Sequence, residues 1–315
     1  MSNGNVPIAP AAPKRSDFRF FDRLRVRWAE VDMQKIVFNG HYLMYFDTAV
    51  AGYWRALALP YEATMHALQG DLYVRKATLE YEGSARYDDA CEVGMRCARI
   101  GNSSMLFSGA LFRGEQLLVH GELVYVFADP ATQTSRPVPP ALREVLTRFE
   151  AGQAVLEVQC GDWAALGEES SALRQAVWAD ELGLPAAAAS DECDARAMHV
   201  LARNHFGRAV GCGRLLLQGV GVGEGYGEGE GYGEADGVGQ ISRMTVLQPV
   251  RGGGVGKALL AALLAKARSA GLVELRLHSQ RQAVPFYRHA GFAAVPGEAL
   301  LRDGVPHVPM TLRLG

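Results

Sequence analysis

The chain has 315 residues, of which 49% are hydrophobic, and this is enough for two domains with a core each. Its net charge of −2 excludes a general electrostatic attraction to nucleic acid or to a membrane surface, and no apolar run approaches the roughly 20 residues of a membrane span. The five cysteines are scattered without a CxxC pair, so we expect reduced thiols in a cytoplasmic protein. The histidines and cysteines also lack metal-ligand spacing, so we expect no metal.

The N-terminal part of the sequence predicts an α+β domain over residues 18–130. Residues 1–17 are polar and rich in proline and alanine, without the apolar core of a signal peptide, and predict a disordered tail. The predicted elements are a strand at 18–28, a helix at 41–57 that is apolar nearly all round, a short helix at 62–69, and strands at 72–81, 91–100, 103–112 and 116–127. One long buried helix followed by an antiparallel meander indicates a sheet wrapped around a helix.

Three segments of this region carry a family resemblance. VRWAEVDMQKIVFNGHY at 26–42, ARYDD at 85–89 and GNSS at 101–104 resemble the hot-dog fold acyl-CoA thioesterases of the 4-hydroxybenzoyl-CoA thioesterase type. The resemblance implies that Asp32 is the carboxylate that acts on the thioester as nucleophile or general base. It also implies an oxyanion held by backbone N–H groups near His41 and Tyr42, a substrate-binding role for Asn39, Gly40 and Tyr42, and a homodimer or homotetramer formed through the hot-dog domain.

Two departures from the family pattern bear on this site. Family members often carry glycine where Lys35 stands and histidine where Asn39 stands, so acid–base work depends more on Asp32. His41 lies two residues further on, where it either assists catalysis or only packs at the helix start. The residue types alone leave a second interpretation of Asp32, a carboxylate that precedes a helix and is favoured by its dipole. Glu30 is interpreted as loop structure or substrate orientation.

A proline-rich connector at 131–152, with a short amphipathic helix at 141–151, precedes a predicted second domain at 153–315. Its predicted elements are a strand at 154–158, a helix at 167–182, a hairpin at 196–201 and 209–217, a strand at 240–247, a helix at 255–270 and a strand at 273–278. Residues 219–239 alternate glycine with Glu, Val or Tyr and predict a mobile acidic loop. This loop either attracts a cationic amine or is a tolerated insertion.

The run QPVRGGGVGKALL at 248–260 predicts a strand, a glycine turn and a helix. Glycines allow backbone N–H groups to approach a ligand closely, and the start of a helix favours an anion, so the run favours phosphate or pyrophosphate. Lys257 is followed by Ala258 rather than Ser or Thr, which excludes a Walker A loop. An ordinary glycine turn before a helix is the alternative.

Arg251, Gly254 and Gly256 match the acetyl-CoA loop of the GNAT acetyltransferase superfamily, Arg/Gln-x-x-Gly-x-Gly/Ala, and AVPFYRHAGF at 283–292 resembles a second GNAT segment. The resemblance implies a mixed-sheet α/β domain in which Tyr287 protonates the departing CoA thiolate, although a core aromatic is the alternative reading of Tyr287. It implies a thioester and pantetheine site at Thr245, Val246 and Leu247. It implies a pyrophosphate site at Arg251, Gly252, Gly253, Gly254, Val255, Gly256 and Lys257. His278 and His307 are candidates for the base, but each is expected to pack or to hydrogen-bond within the sheet.

Together these patterns predict a bifunctional enzyme with coenzyme A or acetyl-CoA as a substrate. The first domain hydrolyses acyl-CoA thioesters, and the second transfers an acetyl or acyl group from CoA to an amine acceptor that the sequence does not identify. The alternative is an acyl-CoA-sensing or assembly module in which one domain is inactive. Turnover separates the two, because a sensor binds CoA and cleaves no thioester.

Overall fold

A computed structural model describes residues 12–218, 237–297, 299–302 and 305–315. The chain divides into two compact units, the first ending at Val155 and the second beginning at Leu156. Residues 1–11 of the predicted tail and 219–236 of the predicted acidic loop lie outside the described residues. The domain limits drawn from the sequence remain predictions.

The first unit is an antiparallel sheet packed on one long helix. Its elements are β1 (Phe20–Arg25), α1 (Asn39–Ala56), α2 (Tyr61–Ala67), β2 (Asp71–Tyr81), β3 (Ala90–Ile100), β4 (Ser104–Arg113), β5 (Gln116–Ala128) and α3 (Pro140–Glu150). The strand order is β1-β3-β4-β5-β2, which leaves β1 and β2 at the edges of the sheet. This is the predicted sheet around a helix.

Helix α1 supplies much of the core of this unit. Phe46 is completely buried, and a β-carbon added at Gly109 of β4 would lie 3.1 Å from its ring, so the glycine lets the helix approach the sheet. Burial of one such side chain contributes roughly 1.5–3 kcal/mol. The expectation that α1 is buried all round is wrong for the single chain, because Leu43 is 39% exposed and Met44 is 57% exposed. One side of the helix therefore faces away from the core.

The segments that flank this sheet are tied to it. Within the predicted tail, Arg15–Asp17 form a short 3-10 helix, and Arg15 pairs with Glu92 of β3 at 2.6 Å. Within the predicted connector, α3 packs the Phe149 ring 5.1 Å from that of Tyr53. Glu150 accepts hydrogen bonds from the Tyr53 hydroxyl and from the Cys97 N–H. The predicted amphipathic helix is therefore part of the first unit.

The second unit is built on a mixed sheet. Its strands are β6 (Leu156–Gly161), β7 (Met198–Asn204), β8 (Ala209–Gln218), β9 (Val238–Val246), β10 (Glu274–Gln280), β11 (Ala293–Ala294), β12 (Leu300–Arg302) and β13 (Val305–Arg313), and its helices are α4 (Trp163–Arg174), α5 (Val255–Ser269) and α6 (Val284–His289). The order is β11-β13-β10-β9-β8-β7-β6, with β12 beside β13. Strands β9 and β10 are parallel, and the other neighbouring strands among the described residues of this sheet are antiparallel.

The first helix of this unit begins earlier than the sequence predicted. Asp162 caps α4, since its carboxylate accepts the Ala165 N–H at 2.9 Å. The helix continues beyond Arg174 as one π-helical stretch, Gln175–Glu181. Among the residues described, no helix combines the length and apolar character needed to cross a membrane.

Candidate functional sites

In the first unit, the segment between β1 and α1 folds into a small hairpin with Asp32 at its tip. Val31 and Val37 form an antiparallel bridge, and the Asp32 N–H donates to the Ile36 carbonyl at 2.9 Å. One carboxylate oxygen of Asp32, Oδ1, accepts the Gln34 N–H at 2.8 Å. The other oxygen, Oδ2, has no hydrogen-bond partner in the described part of the chain, and can face a substrate.

The turn explains why family members often carry glycine where Lys35 stands. Lys35 has φ +62°, in the left-handed region that residues with a β-carbon adopt at a cost. Its N–H donates to the Asp32 carbonyl at 2.9 Å and closes the turn. The turn thus keeps its conformation with lysine in place of glycine.

Glu30 fixes this hairpin to the buried helix. It is 4% exposed, and its carboxylate accepts hydrogen bonds from the Tyr45 hydroxyl at 2.7 Å, from the Arg27 N–H at 2.7 Å and from the Arg27 guanidinium. Burial favours a higher pKa, but these hydrogen bonds and the Arg27 charge outweigh it and hold the pKa of Glu30 below its ordinary value. Of the two roles considered for Glu30, the contacts support loop structure.

The first turn of α1 presents backbone donors beside the hairpin. Phe38 precedes the helix without a capping side chain, and the Asn39 and Gly40 N–H groups have no partner among the described residues. The His41 N–H, in contrast, donates to the Phe38 carbonyl at 2.9 Å. The unpaired Asn39 and Gly40 N–H groups lie at the helix start where an oxyanion site was predicted, and the helix dipole there favours negative charge. The oxyanion site near His41 and Tyr42 stays a prediction.

The side chains of His41 and Tyr42 differ in surroundings. The His41 ring is half-buried and makes an edge contact with Phe38, with centroids 6.1 Å apart. Tyr42 is buried, and its hydroxyl accepts the Ala85 N–H at 3.0 Å. Burial raises the pKa of Tyr42, and the negative charge of Asp32 adds to this rise. Tyr42 therefore stays neutral and lies within electrostatic reach of Asp32.

In the second unit, the glycine run forms an anion cradle between β9 and α5. Gly254 occupies the N-cap with φ +97°, and Gly252 has φ +82°, so both need the left-handed region. Five backbone N–H groups here have no hydrogen-bond partner among the described residues. They belong to Gly252, Gly254, Val255, Gly256 and Lys257. Gly253 differs from its neighbours because its N–H donates to the Val250 carbonyl at 3.2 Å, so its predicted binding role is not that of a backbone donor.

The two basic side chains of the cradle are used differently. The Arg251 guanidinium binds both carboxylate oxygens of Glu181, at 2.6 and 2.8 Å, and its Nε donates to the Val246 carbonyl at 2.9 Å. Lys257 is exposed, and no carboxylate in the described ranges pairs with it. Arg251 therefore forms an ion pair with the π-helix, whereas Lys257 has no carboxylate partner among the described residues, and the phosphate contacts of both stay predictions.

The C-terminal half of β9 has no pairing with β10 among the described residues. The parallel pairing of β9 with β10 ends at Gln240 opposite Arg276. The Leu247 N–H donates to the Val210 carbonyl at 3.0 Å, and because donors alternate along a strand, the Thr245 N–H also faces β8. Of the three predicted donors, Val246 alone directs its N–H to the edge of β9 that no longer pairs with β10.

Tyr287 lies on α6, which follows the end of β10. Its ring is buried and makes edge contacts with Phe286 and Phe292, and burial raises the pKa of Tyr287 to about 12. A β-carbon added at Gly256 would lie 3.6 Å from the Phe286 ring, so α6 begins next to the cradle. Tyr287 therefore combines the packing of a core aromatic with a hydroxyl that stays protonated at neutral pH.

Neither histidine considered as a base is singled out by its surroundings. His278 stands opposite Pro309 in the β10–β13 pairing. The Nδ1 atom of His307 lies 2.8 Å from the Val305 carbonyl, as expected of a histidine that bonds within its sheet.

A buried ionic network was not predicted from the sequence. Arg174 and Arg214, 0% and 5% exposed, both contact Asp194, and Arg214 also contacts Asp191. Arg243 completes the network by pairing with Asp191 at 2.6 Å. The members come from α4, a loop, a short 3-10 helix, β8 and β9, so no local spacing in the sequence marks them. In the ranges that the structure covers, no group of three or more His, Cys, Asp or Glu side chains could hold a metal ion.

Comparisons with known proteins identify a family for each of the two domains. A family model described as the thioesterase superfamily matches residues 34–120, and one described as the acetyltransferase (GNAT) domain matches residues 184–314. A putative acetyltransferase of Bacillus subtilis strain 168, BSU40680, is 31% identical over 142 residues, covering 44% of this chain and 84% of the relative. The chain is a fusion of a thioesterase-superfamily domain and a GNAT acetyltransferase domain.

The chain is also similar to a named thioester hydrolase and to a solved structure. The acyl-CoA thioester hydrolase YbgC of Escherichia coli O157:H7 is 26% identical over 120 residues, covering 38% of this chain and 89% of the relative. The solved structure of the PA5185 protein from Pseudomonas aeruginosa PAO1 is 28% identical, with coverage of 45% of this chain and 96% of that chain and a TM-score of 0.39. Both families use CoA thioesters as substrates, so the fusion joins two CoA-related domains, and the predicted resemblance and fold class are confirmed.

Proposed function

We propose that the thioesterase domain hydrolyses acyl-CoA thioesters with Asp32 as its catalytic carboxylate. The observation that carries this proposal is the hairpin, which holds an Asp32 oxygen free of other bonds in the segment that leads directly into the unpaired N–H groups of Asn39 and Gly40. A carboxylate and an oxyanion site are the two parts that thioester hydrolysis needs.

The reaction follows from these parts. As general base, Asp32 takes a proton from water while the water oxygen attacks the thioester carbonyl carbon. The oxyanion that forms accepts hydrogen bonds from the Asn39 and Gly40 N–H groups. The carbon–sulfur bond then breaks, the carboxylic acid forms, and the CoA thiolate takes up the proton. As nucleophile, Asp32 would attack the carbonyl carbon itself, and the carbon–sulfur bond would break to release the CoA thiolate and leave a mixed anhydride. Water would then cleave the anhydride, which releases the carboxylic acid, restores the Asp32 carboxylate and supplies the proton that the thiolate takes up.

Thiol release from a panel of acyl-CoAs, without added amine, tests this proposal. We expect release by the wild type and its loss in Asp32→Asn, which keeps an oxygen acceptor for the Gln34 N–H. The acyl group released fastest identifies the preferred chain. Binding of CoA without release of any thiol would contradict hydrolysis and favour an acyl-CoA-sensing role for this domain.

We further propose that the GNAT domain transfers an acetyl or acyl group from CoA to an amine. The anion cradle carries this proposal, because five unpartnered N–H groups and the exposed Lys257 side chain suit a pyrophosphate just after β9, whose pairing with β10 has already ended at Gln240. The Val246 N–H supports it by facing the side on which the pantetheine and thioester would lie.

The transfer needs orientation more than covalent chemistry. The amine nitrogen attacks the thioester carbonyl carbon, and the oxyanion is stabilised by the Val246 N–H. The carbon–sulfur bond breaks, the Tyr287 hydroxyl gives its proton to the CoA thiolate, and the amine proton leaves to a base. Acetyl-CoA incubated with a panel of amines in the Asp32→Asn background should yield an acetylated amine and free CoA in equal amounts. Binding of acetyl-CoA with no product from any amine would favour a sensing role for this domain.

We also propose that the thioesterase domain forms a homodimer or homotetramer. Among the described residues, the edge strand β2 pairs with β5 alone, and Val74 and Tyr81 on β2 are each 52% exposed. The exposed side of α1, with Leu43 and Met44, adds further apolar surface for a second copy. Sedimentation should give at least twice the mass of one chain for the wild type, with Val74→Glu shifting it towards a monomer. A wild-type monomer at all concentrations would contradict the assembly.

A further inference from the structure

Arg243 stands out within β9 because its backbone is strained. Its φ of +57° is in the left-handed region, although it is a long side chain in the middle of a strand. At this point the pairing of β8 with β9 slips, so that Arg243 and Met244 both lie between the paired positions Ser242 and Thr245. Strained residues persist only where their surroundings hold them, and they concentrate at functional sites.

The surroundings that hold Arg243 are specific. Its guanidinium donates to the Ala188 carbonyl and to Asp191 Oδ2, the latter at 2.6 Å, and it lies 4.8 Å from the Trp178 ring centroid. Trp178 belongs to the π-helix, and Ala188 and Asp191 belong to the segment that follows it. The bulge residue therefore anchors the segment 178–191 against β9.

Arg214 closes this arrangement into a ring. Its Nε donates to the Ser242 hydroxyl at 3.0 Å, next to the bulge, and its Nη atoms bind both oxygens of Asp191. The pKa of Asp191 is lowered, because the hydrogen bonds and charges of Arg214 and Arg243 outweigh the rise that burial causes. Asp191 thus remains ionised between two arginines, one on each of the paired strands.

The bulge lies just before the part of β9 that is predicted to contact the thioester. Downstream of it lies Val246, whose N–H faces the gap between β9 and β10, and upstream of it the pairing of those strands ends. We propose that Arg243 is a positioning residue for acyl transfer. It fixes the β9 bulge, so that the end of the strand meets the thioester, and it holds segment 178–191 beside β9. This inference rests on the proposed transferase function.

Hydrogen–deuterium exchange of the full chain, in the Asp32→Asn background that preserves acetyl-CoA, tests the proposal. In this background, acetyl-CoA should protect the peptides at 241–247 and at 251–258. Arg243→Gly tolerates the positive φ but removes the anchor, so we expect loss of most of the acetyl-CoA protection at 241–247 with protection at 251–258 retained. Arg243→Lys keeps a positive charge opposite Asp191 but lacks the several N–H donors of a guanidinium. It should show part of the protection that is lost in Arg243→Gly.

The control is Arg203→Gly, which removes another partly buried arginine from the same unit. Arg203 on β7 binds Glu169 and Gln159, and its loss should leave acetyl-CoA protection at 241–247 unchanged. Unchanged protection at 241–247 in Arg243→Gly would overturn the inference. If Arg243→Gly does not fold, the same criterion applies to Arg243→Lys, for which unchanged protection at 241–247 overturns the inference. No protection at 251–258 before Arg243 is changed would instead contradict the transferase function itself, and the inference with it.

Discussion

The two candidate sites use different parts of the chain for their chemistry. The site proposed for the thioesterase domain depends on one side chain, Asp32, held at the tip of a hairpin, whereas the site proposed for the GNAT domain depends mostly on backbone N–H groups from Gly252 to Lys257. A side-chain site can be removed by changing one atom. A backbone site can be removed only by changing the conformation that presents it. Substitutions should therefore separate the two sites cleanly, with larger single effects in the first.

The largest expected effect is in Asp32→Asn. Loss of a positioned general base lowers turnover by about 10²–10⁴-fold. We expect this loss in thiol release without amine, with no change in acyl transfer to an amine. The matched control is Asp88→Asn, the same chemical change at an exposed carboxylate that pairs with Arg25. Equal losses in both variants, or a loss of transfer in Asp32→Asn, would contradict separate sites.

Tyr287→Phe should have the opposite effect, with transfer to an amine slowed and thioester hydrolysis kept. Removal of the acid should slow transfer by at least about 10²-fold while hydrolysis continues. The acid acts in its protonated form, and burial raises the pKa of Tyr287 to about 12, so activity that depends on it is lost only as the pH rises through that value. A pH profile of transfer between pH 7 and 10 should therefore show no decline due to Tyr287. A decline in this range that disappears in Tyr287→Phe would show that burial does not hold this pKa high.

Sequence patterns predicted the elements but not all of the contacts of these sites. The alternation and glycine signals of α1, β9 and the cradle are local, and these elements formed where expected. Arg251 was expected at a phosphate, but it binds Glu181, which lies 70 positions earlier in the sequence. The ring around Asp191 likewise joins segments distant in sequence. Such pairings depend on tertiary packing, which no local pattern encodes.

The backbone donors show a second limit of sequence reasoning. Thr245, Val246 and Leu247 are consecutive, and only the register with β8 decides that the Val246 N–H faces the gap. At the start of α1, the His41 N–H is used within the turn whereas those of Asn39 and Gly40 are unpaired in the described chain. The motif therefore predicted the right turn, and the hydrogen bonds determined which of its residues can bind.

Gly254→Ala tests how far the cradle depends on its conformation. Gly254 has φ +97°, and a left-handed conformation costs a residue with a β-carbon roughly 1–2 kcal/mol. We expect the dissociation constant of CoA at this site to rise by up to about 30-fold, measured by titration of protection at 251–258. Gly253→Ala is the matched control, because Gly253 does not have positive φ and its N–H is already bonded. Equal weakening by both substitutions would indicate that space, rather than conformation, requires the glycines.

Glu30→Gln should have the smallest effect on chemistry and a clear effect on stability. Glu30 binds Tyr45 and Arg27 as a buried carboxylate, and hydrogen bonds to a charged group contribute about 1.5–3 kcal/mol. Its folded-state pKa lies below the ordinary value of 4.5, so its contribution is present above pH 4.5 and is lost as the pH falls through the folded-state pKa. Thermal unfolding at pH 7 should show the first unit of Glu30→Gln less stable than the wild type, and the difference should shrink below pH 4.5.

Glu115→Gln, at a side chain that is 91% exposed, should show little difference at either pH. A difference between wild type and Glu30→Gln that stays constant with pH would mean that the glutamate acts through its shape rather than its charge, and would weaken the contrast between an anchoring Glu30 and a reacting Asp32 two residues later.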